Sequence, residues 1–271
     1  MSKPDLSSPD GFISALSDLG PMRVWSVIIT IFGDLVRPRG GVVSAAALNA
    51  IGARLGIRPE AMRVALFRLV KDGWIERRKE GRNSFYVLTQ NGSQKFLPAT
   101  QRIYAHSPAL RGPWTLVSFD SAPRADVTQK LEEDGFFAIS SQIYLGSVGS
   151  GLEPDTALIM SGEVRIFPAW AKAKLGLGEL AAEFRKLNHR LQQLEQGWAL
   201  ARASALDAVC LRVLMIHQWR RLLLRHPDVP PEMMPDGWPG EDCRSRVLRL
   251  HTFLSQPAEP WLIDMIGAEQ T

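Results

Sequence analysis

Cysteine is almost missing from the chain: Cys210 and Cys243 are the only two in 271 residues, far apart and without the paired spacing of a thiolate metal site. A disulfide framework and a cysteine-held zinc are excluded as organising devices, and both thiols are expected to be ordinary buried side chains. Long apolar runs are missing too. The longest, residues 24–32, falls far short of the roughly 20 residues that cross a bilayer, and MSKPDLSSPDGF lacks the charged region and apolar core of a signal peptide. The expected location is the cytoplasm, with no membrane partner. Catalytic signatures are equally sparse. There is no nucleophile elbow and no histidine pair at helical spacing, and GSVGSGL at residues 146–152 lacks the lysine of a phosphate loop and reads as a flexible turn. No catalytic residue, resident cofactor or metal is expected.

What the chain does have is positive charge in one place. Residues 20–90 hold 12 Lys/Arg against 5 Asp/Glu, about +7, while the whole chain is +4, so the remainder is near −3. Within that stretch PEAMRVALFRLVKDGW predicts a helix, with Pro59 at its first position, Glu60 near its positive end and Gly73 as a left-handed stop. At 100° per residue Met62, Ala65, Leu66, Leu69 and Val70 share an apolar arc. Glu60, Val64, Phe67, Arg68 and Lys71 lie opposite, with Arg63 on the flank. Cations with apolar groups between them suit a helix in a DNA major groove, where charges meet phosphates and guanine edges and apolar groups meet thymine methyls. The alternative is a surface helix whose Phe67 packs on a neighbouring element. Context favours DNA. Ser44 caps a preceding helix through Ala47, Leu48, Ile51 and Leu55, which gives helix, turn, helix. WIERR, the turn KEGRN and SFYVL then form a basic hairpin with Arg77, Arg78, Lys79 and Arg82. MRVWSVIITIF supplies an apolar floor helix, and Thr89 starts a further helix through TQNGSQKFLPATQRIYA, which contains Gly92 and Pro98. Arg58 stands at the cap of the basic helix, where Ser or Asp would cap better, and offers a further phosphate contact.

The rest divides into two parts. WTLVSFD, RADVTQKLEEDG and FAISSQIYLG alternate as strand, helix and strand, with a further pair expected in TALIMSG and VRIFPAW, an order that fits a small ferredoxin-like α+β domain. Beyond residue 178 the pattern is helical. Leu180, Phe184, Leu187, Leu191, Leu194 and Trp198 form a seam that is either a dimer interface or one side of an intramolecular pair with ALDAVCLRVLMIHQWRRLLL. His217, Trp219, Arg220 and Arg221 make a polar turn there, which either binds a small anion or ties the helix to the proline-rich loop ending at Trp238. A last helix is expected through EDCRSRVLRLHTFL, and FISALSDL is a short helix or a loose arm. The expected architecture is α+β and multidomain: an arm over 1–20, a winged helix-turn-helix over 21–106, a ferredoxin-like domain over 111–170 and a helical domain over 175–265.

VIITIFGDLVRPRGG, MRVALFRLVKDGW, GRNSFYVLT, TQRIYA, WTLVSFD and IHQWRRLLLRHPDVPPEMMPDGWPG resemble the PaaX family of bacterial transcriptional repressors, which control aerobic phenylacetate degradation. The resemblance runs from about residue 20 to 262. It implies an N-terminal winged helix, a central domain similar to the CRISPR-associated Cas2 proteins and a helical C-terminal domain. It further implies a homodimer on palindromic promoter DNA, released by an aryl-acyl-CoA effector such as phenylacetyl-CoA. Arg63, Phe67, Arg68 and Lys71 match the recognition helix, and Arg77, Arg78, Lys79 and Arg82 match the wing. HQWRR and WPG match the family pattern, which makes His217, Trp219, Arg220, Arg221 and Trp238 the effector candidates. Two rival readings stand beside this one. One is a metal-dependent nuclease using Asp120, at the position where nuclease members of the Cas2-like fold hold a divalent cation. The other is a DNA-binding scaffold without a ligand.

Overall fold

The computed structural model describes residue 6 and residues 8–107, 113–147, 156–198, 203–225 and 233–266. These fall in two compact units, one drawn from Met1–His106, Glu183–Leu223 and Glu241–Thr271, the other from Ser107–Ala182 and Leu224–Gly240. The C-terminal helices thus share a core with the N-terminal elements, where the sequence suggested a separate helical domain.

In the first unit α1 (Pro9–Ser17) is capped by Ser8, whose hydroxyl accepts from the Gly11 amide at 3.2 Å. α2 (Val24–Ile31) runs into a π-turn at Phe32–Val36, and β1 (Val42–Ser44) follows. α3 (Ala45–Arg54) starts at Ser44, whose hydroxyl accepts from the Ala47 amide at 3.1 Å. After a short turn come α4 (Pro59–Lys71), β2 (Ile75–Glu80), β3 (Asn83–Leu88) and α5 (Gln90–Ile103). The three strands form an antiparallel sheet in the order β1-β3-β2. β1 was not expected from sequence because three residues are too few to show alternation. The hairpin is tighter than KEGRN suggested: Lys79 and Glu80 belong to β2, Glu80 pairs with Asn83, and only Gly81 and Arg82 turn.

The second unit contains β4 (Trp114–Ser118), α6 (Ala125–Glu133), β5 (Phe137–Ala138), β6 (Ile143–Ser147), β7 (Leu158–Gly162) and α7 (Ala169–Lys174). Its antiparallel sheet has the order β5-β6-β4-β7 over a core of Val117, Phe119, Leu131, Phe136 and Tyr144. FAISSQIYLG makes two strands instead of one, because the Ser140 hydroxyl accepts from the amides of Gln142 and Ile143 at 3.3 and 3.1 Å and turns the chain. VRIFP forms no strand and leads to Pro168, which lacks the amide a ladder needs. Most of GSVGSGL, residues 148–152, lies outside the described residues.

α8 (Gly178–Gly197), α9 (Ala205–Leu223) and α10 (Gly240–Ile266) complete the chain. α9 is the axis of the first unit, buried along most of its length and packed against α1, α2, α3 and α5. That contact decides the fate of FISALSDL, which folds as α1 against α9 rather than as a loose arm. The α8 seam is also covered within the chain. Phe184 and Leu191 are fully buried, and the Phe184 ring meets Trp219 edge-on at 5.7 Å. The intramolecular alternative therefore holds for the seam. α10 outruns the expected helix by about three turns, passing through Pro257 and Pro260, because Ala258, Leu262 and Ile266 continue its buried stripe.

Candidate nucleic-acid interface

α4 is fixed from below. Met62, Ala65, Leu66 and Leu69 are buried, and each large side chain contributes roughly 1.5–3 kcal/mol relative to exposure. Val70, assigned to the same arc from sequence, is exposed instead. Gly52 permits the close approach of α3, since a Cβ there would stand 2.5 Å from the end of Met62. α4 stops at Gly73, φ +70, where the Trp74 amide reaches back to Leu69 O at 2.9 Å. Thr89 locks this end to the hairpin. Its hydroxyl donates to Gly73 O at 2.7 Å and accepts from the Gly92 amide at 2.8 Å as the cap of α5.

The outer face of α4 is open. Phe67 is 71% and Val64 68% exposed, and Arg63, Arg68 and Lys71 are exposed around them. Two cations are held by acids of the same helix, Arg63 by Glu60 at 2.9 Å and Arg68 by Asp72 at 3.6 Å. Exposed pairs of this kind are worth well under about 1 kcal/mol and yield to a phosphate. Arg58 is the N-cap and makes no side-chain cap bond, as its chemistry requires, and it too is exposed. In β2 only Ile75 is buried. Arg77, Arg78 and Lys79 alternate across the two faces, and Arg82 sits in the turn, so the hairpin carries cations on both sides and at its tip. Arg77 donates to Ser84 Oγ at 2.9 Å, which keeps it extended beside the partner strand. All ten residues picked from sequence are thus exposed on α4, its cap and the hairpin.

The α9 turn is different. His217 and Trp219 are buried at 2% and 1% exposure. Trp219 Nε1 donates to Ile103 O at 3.0 Å, Arg220 Nη2 donates to Ser26 O at 2.9 Å, and Arg221 binds Glu183 at 2.8 Å and Leu19 O at 3.2 Å. Burial, then the charges of Arg220 and Arg221, push the His217 pKa down to about 4. The cluster, for which the sequence left open a small anion or the proline-rich loop, is therefore turned inward, and its bonds tie α9 to α2, α5, α8 and the segment after α1. The proline-rich loop is not its partner in these bonds. Trp238 is half-buried in the other unit. Residues 226–232 of that loop lie outside the described residues, while Met233 and Met234 are buried.

Cys210 and Cys243 are buried, with burial pushing both thiols up to about 12. Asp120 is exposed and accepts from its neighbour Ser121 at 3.1 Å. Among the described residues no group of three His, Cys, Asp or Glu could hold a metal ion, and no helix is long and apolar enough to cross a membrane.

Sequence reasoning passed over two residues that shape this unit. Asp34 sits in the π-turn that follows the apolar floor helix, and its signal was an isolated acid in an apolar run. Trp25 lies on the same floor and reaches α4, with the Arg68 guanidinium 6.0 Å from its ring centroid. Nothing local in the sequence points to that contact.

Two family profiles match the chain, PaaX-like protein over residues 23–92 and PaaX-like protein C-terminal domain over residues 175–263. A protein of Escherichia coli (strain K12) named transcriptional repressor PaaX is 28% identical over 93% of this chain and 87% of its own. The solved structure of uncharacterized protein Rv0674 from Mycobacterium tuberculosis is 17% identical, with a TM-score of 0.55 over 85% of this chain and 96% of that one, a likeness of fold alone.

Proposed function

Because the chain belongs to the PaaX-like family, whose two profiles together account for over half of it, we propose that it is a transcriptional repressor of phenylacetate-type catabolic genes, binding promoter DNA through a winged helix-turn-helix. α3 and α4 are the helix-turn-helix, α4 is the recognition helix, and the β2-β3 hairpin is the wing. The observation that carries this reading is the outer face of α4, where Phe67 and Val64 stand exposed among Arg63, Arg68 and Lys71. An apolar pair ringed by cations is costly on a solvated surface and useful against thymine methyls and flanking phosphates. The second unit, with strand order β5-β6-β4-β7 and α6 after its first strand, supports the reading of a ferredoxin-like domain similar to Cas2. In a homodimer two α4 helices would enter successive major grooves about 34 Å apart.

The proposed releasing effector is an aryl-acyl-CoA such as phenylacetyl-CoA. This part rests on what the family resemblance implies, and no α9 side chain is assigned to the ligand. Fluorescence anisotropy of the protein's own upstream promoter fragment tests it. Phenylacetyl-CoA should reverse specific binding while free CoA leaves it intact. Binding that ignores the thioester would remove this effector.

Two substitutions divide specificity from general affinity. Phe67→Ala should weaken promoter binding by about 1–3 kcal/mol and leave binding to scrambled DNA nearly unchanged. An equal loss on both would remove Phe67 from base contact. Arg82→Ala should weaken binding to every duplex and reduce the steepness of log K against log salt by about 1. An unaltered slope would show that the wing tip does not neutralise a phosphate.

A further inference from the structure

Trp25 stands in the first turn of α2, beside Ser26, which α9 holds through Arg220. Arg220 Nη2 donates to Ser26 O at 2.9 Å and to Ser26 Oγ at 2.5 Å. One turn later the Thr30 hydroxyl donates to Ser26 O at 3.1 Å and meets His217 Nδ1 at 3.4 Å. The backbone that carries Trp25 is therefore fixed from the centre of the unit. Its half-buried ring faces the other way, toward α4, where it lies 6.0 Å from the Arg68 guanidinium carbon. Asp72, one turn further along α4, holds Arg68 Nε at 3.6 Å. Arg68 itself remains 67% exposed.

An exposed arginine normally samples many rotamers and loses that freedom when it meets a ligand. Arg68 has an aromatic face and a carboxylate to rest against, and together they narrow its range without covering it. The aromatic contact suits this role because a ring attracts a guanidinium through its quadrupole yet offers no hydrogen-bond acceptor that must be given up when a phosphate or base edge arrives.

We propose that Trp25 is a positioning residue for the DNA-contacting face, presetting the Arg68 guanidinium so that promoter DNA meets an ordered cation. The proposal rests on the reading of α4 as the recognition helix. It assigns a function in DNA recognition to a side chain of the floor helix, outside both the helix-turn-helix and the wing.

The test is a double-mutant cycle on the full chain with Trp25→Leu, Arg68→Ala and the pair, read as anisotropy Kd on the promoter fragment and on scrambled DNA, with thermal midpoints as the check on folding. Leucine retains apolar cover and removes the quadrupole. Trp25→Leu should weaken promoter binding about two- to fivefold, Arg68→Ala should weaken it more, and adding Trp25→Leu to Arg68→Ala should change nothing further. Losses that multiply independently, or an unchanged Kd for Trp25→Leu while Arg68→Ala is impaired, would overturn the proposal. If Trp25→Leu lowers the midpoint, Trp25→Phe decides: it should keep most of the promoter affinity, and a loss as large as that of leucine would count against positioning by the ring. A silent Arg68→Ala beside an impaired Phe67→Ala would sink only this proposal. Silence in both would sink the assignment of α4 itself.

Discussion

Asp34→Asn is expected to cost about 3–5 kcal/mol of folding stability, the range for breaking a buried ion pair from one side. The Asp34 carboxylate is 1% exposed and gathers donors from three other elements. Arg212 Nε on α9 donates to Oδ2 at 2.8 Å, Tyr104 OH at the end of α5 donates to Oδ1 at 2.6 Å, and His251 Nε2 on α10 lies 2.8 Å from Oδ1. Arg212 goes on to Ser255 Oγ at 2.9 Å. Asparagine has nearly the right shape, but it removes the charge that Arg212 was buried to meet and turns an NH2 toward a cluster of donors. A domain's whole stability is about 5–15 kcal/mol, so the variant should unfold at much lower urea. Adding Arg212→Met should recover part of the loss, since the uncompensated cation is then gone. Urea unfolding of the wild-type chain, the single variant and the double variant checks this. A single-mutant loss under about 1 kcal/mol would mean that the carboxylate does not organise the core. The π-turn that carries Asp34 is the local device that places an acid at this depth, a turn type found more often where a helix is bent for a specific purpose.

The second large effect is a loss of stability on mild acidification through His217. Its folded pKa is depressed to about 4, first by burial and then by Arg220 and Arg221, while the unfolded value is about 6.5. Below pH 6.5 the unfolded chain takes up a proton that the native state refuses. The stability from keeping the ring neutral is therefore complete above pH 6.5 and drains away as pH falls toward 4. The integrated effect is about 3 kcal/mol. Asp34 acts in a lower window. Burial alone would raise its pKa, but the His251 hydrogen bond and the Arg212 charge outweigh burial and bring it to about 2. Its contribution is present above pH 3.8 and is lost as pH falls from there through 2. Urea unfolding at pH 7, 5.5 and 4.5, compared between the wild-type chain and His217→Asn, isolates the first group. The wild type should show the steeper loss, by up to one proton's worth of slope. Parallel curves would place the His217 ring in contact with water.

α4 and the hairpin were legible because their determinants are local. Pro59, Gly73 and the arc of Met62, Ala65, Leu66 and Leu69 specify a helix with one buried face. An exposed face is read simply as what remains, which is why all ten predicted interface residues lie on the surface. Val70 broke the pattern because the edge of an apolar arc is set by the width of the neighbouring element, a quantity the helix does not encode. β1 and the turn inside FAISSQIYLG escaped for a related reason: strands of two or three residues exist through their partners rather than through their own periodicity.

The α9 turn shows the same limit more sharply. Its sequence places His217, Trp219, Arg220 and Arg221 together, and such a cluster equally suits a ligand or a scaffold. What separates the two is whether acceptors lie opposite, and here they are Ser26, Ile103, Glu183 and Leu19, residues far away along the chain. By itself the sequence determined the charged face, the succession of α3, short turn and α4, the basic hairpin and the family, because each rests on side chains a few positions apart. Only the tertiary structure decided that the C-terminal helices close the N-terminal core, that Asp34 joins four elements and that Trp25 faces Arg68. Such contacts are selected by the packing of segments that local propensity leaves free to pair in several ways.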